Sequence, residues 1–199
     1  GRDQLMRTIV LKRLTDVVLA ALILIILSPV LLIGYLTVLS TMGRPAIFMH
    51  ERSGKNGVPF RMIKLRTMLE DPDGRMTDSE RVTSTGLFLR RFSVDEIPQL
   101  FNVLAGSMSL VGPRPLLPEY DARYSAEQSR RLLVKPGLTG LAQVNGRNNL
   151  SWDEKLALDV QYVDAQSFWL DIKILLKTPL VVLTARGFKR SGEAKKFSE

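Results

Sequence analysis

The sequence predicts a mostly α-helical protein with a small β-hairpin, carried on one N-terminal membrane element. Three observations predict it. From Val17 to Met42 there is no charged residue. Two short strand-like runs flank the turn Ser53-Gly54-Lys55-Asn56-Gly57. Beyond Gly86 the apolar residues recur at helical spacing in segments separated by Pro and Gly.

The uncharged run makes on the order of 39 Å of helix, against a hydrocarbon core of about 30 Å. It is too long for a signal-peptide core, and no A-x-A-like site follows it. Ser28-Pro29 sits near its middle. Proline removes a helical hydrogen bond and kinks the chain. Each arm of about 12 residues then reaches roughly 18 Å, short of the core thickness. Arg2, Arg7, Lys12 and Arg13 precede the run, and Arg44, Arg52 and Lys55 follow it. Basic flanks favour the cytoplasmic side. A spanning helix would send one flank across, whereas a re-entrant helix-break-helix keeps both inside. The residues leave both readings open, because membrane helices tolerate a proline kink. Asp16, at the mouth of the run, either pairs with Lys12 or Arg13 or forms a solvated helix end.

Further along, Ala46 to Glu51 and Val58 to Leu65 read as the strands of the hairpin. Met68 to Thr85 is polar and rich in Asp, Gly and Pro, as in a surface loop. Helices are expected over Gly86–Arg91, Ser93–Leu104, Ser125–Leu133, Trp152–Tyr162 and, amphipathic, Phe168–Ala185. Gly112-Pro113-Arg114-Pro115 is a rigid turn, and Leu138–Val144 a loop or short strand. No internal repeat is present. The chain divides into a membrane element at 1–43, a folded domain at 44–185 and a basic tail at 186–199.

The 199 residues carry a net charge of +8. Such a balance suits phosphate-rich partners: nucleic acid, an anionic membrane surface, or nucleotide and lipid phosphates. Only 7% of residues are aromatic, and the basic residues are dispersed rather than patched, which argues against nucleic acid. The absence of cysteine removes disulfides, thiolate nucleophiles and cysteine-bound zinc. His50 is the only histidine, which argues against a Ser-His-Asp triad and against HExxH zinc chemistry. Ser53-Gly54-Lys55 lacks P-loop spacing.

Chemistry concentrates at Ser93-Val94-Asp95-Glu96. The pattern S-x-x-E before an apolar run is a capping box, with Ser93 capping the helix and Glu96 reaching back. Asp95 beside a helix N-terminus would stay ionised, as a carboxylate nucleophile must, and the spot would attract phosphate. Pro98 permits a second reading, in which the helix starts there and both acids lie in the preceding turn. Two adjacent carboxylates facing a phosphate call for a cation, and Mg2+ held by Asp95 and Glu96 fits. Lys64, Arg66, Arg90, Arg91 and Arg114 could share that work. Arg114 is distinguished by its two flanking prolines, which restrict its backbone as a phosphate clamp requires. Taken singly, each of these cations reads as a solvated surface charge. In GLTGLAQVNGR (Gly137–Arg147), glycines would let backbone amides approach a ligand, with Gln143, Asn145 and Arg147 adding polar contacts. This is not GxGxxG and is weak by itself.

Taken together these stretches resemble the bacterial sugar transferase family, the monotopic phosphoglycosyl transferases. The matching motifs are KRLTD at Lys12–Asp16, the Ser28-Pro29 break and KLRTM at Lys64–Met68. They continue with SVDEIPQLFNVLAGSMSLVGPRPLL at Ser93–Leu117 and KPGLTGLAQVNGR at Lys135–Arg147, followed by SWDEKLALDVQYV and SFWLDIKILLKT. The likeness covers nearly the whole chain, and it is nearest to the small PglC-like members that handle UDP-activated bacillosamine. Leu65 stands where the family has Phe.

The resemblance implies a re-entrant helix hinged at Ser28 and Pro29, below a compact cytoplasmic catalytic domain with interfacial amphipathic helices. It implies a monotopic protein on the cytoplasmic face of the bacterial inner membrane. Asp95 is then the nucleophile that takes a phospho-sugar from a UDP-sugar and releases UMP. Polyprenyl phosphate collects the group as polyprenyl diphosphate-sugar, the first membrane step of glycoconjugate assembly. Glu96 is the partner acid near Mg2+. Lys64, Arg66, Arg90, Arg114, Gln143 and Arg147 are expected to bind substrate. A bacillosamine-type sugar is favoured, with galactose, glucose or an N-acetylated hexosamine behind it. Two alternatives stand beside this reading: a membrane-tethered nucleic-acid binder and a non-catalytic membrane scaffold.

Overall fold

The structure, a computed structural model, describes residues 2–71, 73–185, 187–188 and 197. The basic tail expected over 186–199 lies mostly outside them. The described residues are predominantly helical, with one antiparallel hairpin and one parallel strand pair.

Helix α1 (Arg2–Met42) runs unbroken through Pro29. Pro29 has no N–H to give the Ile25 carbonyl one turn back. The Ser28 hydroxyl donates to that carbonyl instead, at 2.7 Å. The Ser-Pro pair therefore keeps the helix continuous, in place of the helix-break-helix that the resemblance implies. The most apolar stretch of α1 has a mean hydropathy of 3.0 and is only 11% buried, so by length and composition it is apolar enough to cross a membrane.

Both arms of α1 are nonetheless held by the rest of the chain. In the first arm, Asp16 is buried. Its carboxylate accepts from the Ser109 hydroxyl at 2.8 Å and from the Leu110 amide at 3.1 Å. Lys12 sits 3.9 Å from Asp16 but donates at 2.7 Å to Asp171. The solvated-end reading of Asp16 is thereby corrected: it ties α1 to the strand at Ser109. Arg13 donates to the carbonyls of Val103 and Leu104, at 2.6 and 2.8 Å. In the second arm, Val38 joins Ala46, Leu65 and Leu89 in a small apolar cluster.

The hairpin pairs β1 (Ile47–Ser53) with β2 (Pro59–Leu65), and Phe48 stands opposite Lys64. The free edge of β2 is covered by one side chain. The Asn102 carbonyl oxygen accepts from the Ile63 amide at 3.0 Å, and its amide nitrogen donates to the Arg61 carbonyl at 2.8 Å. The long polar loop holds the short helix α2 (Asp78–Arg81). Helix α3 (Ser84–Arg91) begins at a Thr83 cap. Its Gly86 lies so close to Thr67 that an added Cβ would meet the Thr67 carbonyl at 1.9 Å.

The expected helix over Ser93–Leu104 is two elements. A single 3-10 turn covers Val94–Glu96, and α4 (Gln99–Ala105) starts after Pro98. The strand β3 (Ser109–Val111) then pairs in parallel with β4 (Gly137–Thr139), from the segment read as loop or strand. Between them lie α5 (Ala126–Ser129) and a 3-10 turn at Arg130–Leu133, in place of one charged helix. The chain ends with α6 (Leu141–Asn145), α7 (Trp152–Ala165) and α8 (Phe168–Leu183). A capping box of Ser151 and Glu154 starts α7. The main core joins Leu100, Val103, Met108, Leu110, Tyr162 and Ile174 with Ala20, Ile23 and Leu27 of α1. Helix α8 buries Asp171 and Ile174, and exposes Trp169 and Leu176 by 71% and 75%.

Candidate active site

Asp95 and Glu96 lie in the turn before α4, as the second reading of the motif had it. The capping box is not formed. Ser93 takes a left-handed conformation, φ 54°, and makes no cap hydrogen bond. Its hydroxyl accepts from Arg147 Nη2 at 2.9 Å. Glu96 reaches forward to two cations instead of back to Ser93. Its Oε1 accepts from Lys64 Nζ at 3.1 Å and from Arg114 Nη2 at 2.8 Å. Two charge-assisted bonds hold it more firmly than a cap amide would.

The two acids are in unlike states. Asp95 is 5% exposed. Among the described residues it accepts no hydrogen bond, and its ion pair is with Lys64 at 3.9 Å. Burial pushes its carboxyl above the ordinary range. Lys64 opposes the shift, Glu96 adds to it, and Arg90 and Arg114 oppose it more weakly. Burial also acts upward on Glu96, but the Arg114 and Lys64 charges outweigh it and hold Glu96 well below the usual carboxylate range. The expectation that a helix N-terminus keeps Asp95 ionised is corrected: α4 begins three residues beyond the turn's last acid, and Lys64 is the main counter-charge.

The positioning of each partner follows from the fold. Lys64 comes from β2, which Asn102 ties to α4 just past the acids. Arg114 stands between Pro113 and Pro115, and its carbonyl accepts from Arg131 Nη2 at 2.5 Å. Arg131 is buried against Asp159 of α7 at 2.8 Å. Arg131 and Asp159 thus fix the arginine that fixes Glu96, and no local pattern marks either. Arg90 donates to Thr67 at 2.7 Å and contributes its charge near Asp95.

Arg66 is not brought to this group. It is buried, and its guanidinium donates to the carbonyls of Met42, Gly43 (2.8 Å) and Arg44 (3.4 Å), the free end of α1. Asn145 donates to its own helix at Leu141. The glycines of Gly137–Gly140 approach the chain itself, since a Cβ at Gly137 would stand 2.1 Å from the Gly112 amide. Two clefts flank Arg114. One, of about 190 Å3, runs past Lys64, Arg52, Gln99 and Tyr120. The other, of about 230 Å3, runs past Gln143, Arg147, Trp152 and Asp159. Arg52, Tyr120, Trp152 and Asp159 were not among the expected site residues.

No cluster of three or more metal-binding side chains occurs among the described residues. Mg2+ takes one or two carboxylates and leaves its other positions to phosphate and water. The pair fits that pattern through Asp95, a buried acceptor with no hydrogen bond among the described residues, and through Glu96 Oε2, because Oε1 is taken by Lys64 and Arg114.

Asp95, buried and without a hydrogen bond among the described residues, thus stands beside Glu96, which is bonded to two cations. The chain belongs to the bacterial sugar transferase family, whose description matches residues 7–185. It is 46% identical over 185 residues to "Uncharacterized sugar transferase EpsL" of Bacillus subtilis (strain 168), covering 92% of each chain. It is 42% identical over 186 residues to the "UDP-glucose:undecaprenyl-phosphate glucose-1-phosphate transferase" of Caulobacter vibrioides, covering 87% of this chain and 70% of that one. It is 41% identical over 197 residues to the "Undecaprenyl-phosphate galactose phosphotransferase" of Salmonella typhimurium. There it covers 89% of this chain and 41% of the relative, so it spans about two fifths of that protein's length.

Proposed function

We propose that this chain transfers a sugar-1-phosphate from a UDP-sugar to a polyprenyl phosphate through a covalent intermediate on Asp95. The observation that carries the reading is the division of labour between the acids: Glu96 is locked by Lys64 and Arg114, while Asp95 accepts no hydrogen bond among the described residues. A locked acid orients its neighbours, and an acid without hydrogen bonds can act as nucleophile. The names of the relatives supply the substrate class.

In the first step an Asp95 oxygen attacks the sugar-bearing phosphorus. The bond from that phosphorus to the bridging oxygen breaks, and UMP leaves with the electron pair. In the second step an oxygen of polyprenyl phosphate attacks the same phosphorus. The aspartyl–phosphorus bond breaks, the diphosphate link forms, and the Asp95 carboxylate is restored. Arg114 and Lys64 face charge that builds on the phosphoryl oxygens. Asp95 and Glu96 would hold Mg2+ with the donor's diphosphate, where its chemistry is charge neutralisation.

The membrane arrangement follows the same reading. Arg13 grips α4 at one end of α1, and Arg66 grips the Met42 carbonyl at the other. A spanning helix would have to carry one of these contacts across the bilayer. A re-entrant α1, kinked at Pro29 without losing its helix, would keep both on the cytoplasmic face, with Ile25 and Ile26 beside the kink in lipid. The apolar face of α8 then lies in the interface. Lipid phosphate and soluble nucleotide can both reach Asp95 from that position.

The test is UMP release from a panel of UDP-sugars with polyprenyl phosphate and magnesium, followed by mass spectrometry of the protein. The expected results are UMP release and a phospho-sugar adduct, both lost in Asp95→Asn. Equal release by wild type and Asp95→Asn would overturn the nucleophile.

A further inference from the structure

We propose that the cleft between α6, α7 and Arg114 reads the hydroxyl groups of the donor's sugar, an inference that rests on the UDP-sugar reading above. Three buried polar groups on its wall lack partners. Gln143 is 8% exposed, and neither its amide oxygen nor its amide nitrogen has a hydrogen bond. Asp159 is 3% exposed; its Oδ2 accepts both bonds from Arg131, and its Oδ1 accepts none. Arg147 uses Nη2 on Ser93, and its Nη1 is buried without a partner. Buried polar atoms are nearly always satisfied, so three such residues on one cleft mark a place where a ligand supplies the bonds.

The chemistry of the set suits a neutral, hydroxyl-rich ring. Gln143 offers a donor and an acceptor in one plane, Asp159 an acceptor and Arg147 a donor, and the Trp152 ring lies on the same wall. Position selects the sugar over the uracil. Arg147 is bonded to Ser93, two residues before the nucleophile, and Arg114 on the cleft wall is bonded to Glu96. The sugar is attached directly to the phosphoryl group that Asp95 attacks, whereas the base is separated from it by a ribose and a second phosphate. Arg147 also holds a left-handed backbone, φ 53°, which is strained for a residue with a side chain. The fold accepts that strain at a residue that joins the nucleophile's turn to the cleft.

The experiment compares wild type with Gln143→Met, measuring UMP release from UDP-glucose, UDP-galactose and UDP-N-acetylglucosamine, inhibition by UMP, and Tm. In Gln143→Met, kcat/KM for the preferred UDP-sugar is expected to fall about 10- to 100-fold, and discrimination among the sugars to shrink. UMP inhibition should not change, and Tm should not fall, because the variant removes an unsatisfied amide. An equal loss with every UDP-sugar together with weaker UMP inhibition would assign the cleft to uracil and overturn the proposal. Unchanged kinetics, or a clear drop in Tm, would overturn it as well. If wild type releases UMP from no UDP-sugar, the donor reading itself fails and this inference falls with it.

Discussion

Arg114 Nη2 donates to Glu96 Oε1 at 2.8 Å, and the same arginine forms the wall shared by both clefts. Its backbone is set by Pro113, Pro115 and the Arg131 bond, so the guanidinium reaches Glu96 from a fixed base. Arg114→Lys keeps the charge and loses the planar fork. Turnover is expected to fall by on the order of 10²–10³-fold, with Tm little changed. Steady-state UMP release alongside thermal melts would check this.

Asp95→Asn should lower turnover by on the order of 10⁴-fold, the scale for loss of an essential catalytic carboxylate. The adduct seen by mass spectrometry should vanish. An adduct persisting in this variant would place the nucleophile elsewhere.

The same substitution should stabilise the fold. Asp95 has a folded pKa above its unfolded value, chiefly through burial. Ionising it therefore works against folding; the penalty is absent below the unfolded pKa and complete above the folded one. In EDTA, Asp95→Asn should melt above wild type, with the gap widening as pH rises through and above the ordinary carboxylate range. Glu96 has the opposite sign, since Arg114 and Lys64 outweigh burial and depress its pKa. Glu96→Gln should melt below wild type above the ordinary carboxylate range. That difference should close as pH falls through the depressed value.

Arg66→Ala should act on stability. Its guanidinium satisfies carbonyls at the end of α1. A loss of about 3 kcal/mol is expected, or about 6–12 °C in Tm for a chain of this size. The KM for UDP-sugar in the remaining folded protein should be unchanged; a raised KM with an unchanged Tm would return Arg66 to the substrate.

For topology, single cysteines at positions 5 and 45 should both react with an impermeant reagent from the cytoplasmic side of oriented vesicles. Labelling from opposite sides would make α1 a span.

Much of the fold can be read along the chain. The hairpin, α3, α7 and α8 follow from turn residues, caps and periodicity, all of which are local. The parallel pairing of β3 with β4 is not local, because Val111 and Thr139 meet across an intervening segment that carries no pairing signal. The capping-box expectation failed for a related reason. Ser93 and Glu96 have the right spacing, but Arg147, Lys64 and Arg114 offer stronger, charged partners that only folding brings near.

The candidate site divides in the same way. By itself the sequence determined that an acid pair, a proline-held arginine and an apolar helix belong to one protein, because residue type and spacing carry that information. It marked Arg114 by its flanking prolines but grouped Arg66 with the substrate cations, whereas Arg66 closes a helix end and Arg114 holds Glu96. Nor could residue type and spacing show that Asp95 and Glu96 shift in opposite directions, because those shifts arise from burial and from cations distant in sequence. Only the tertiary structure decided which acid is locked and which is free, because charge and desolvation act through space, and the chain brings Lys64, Asp95 and Arg114 together only by folding.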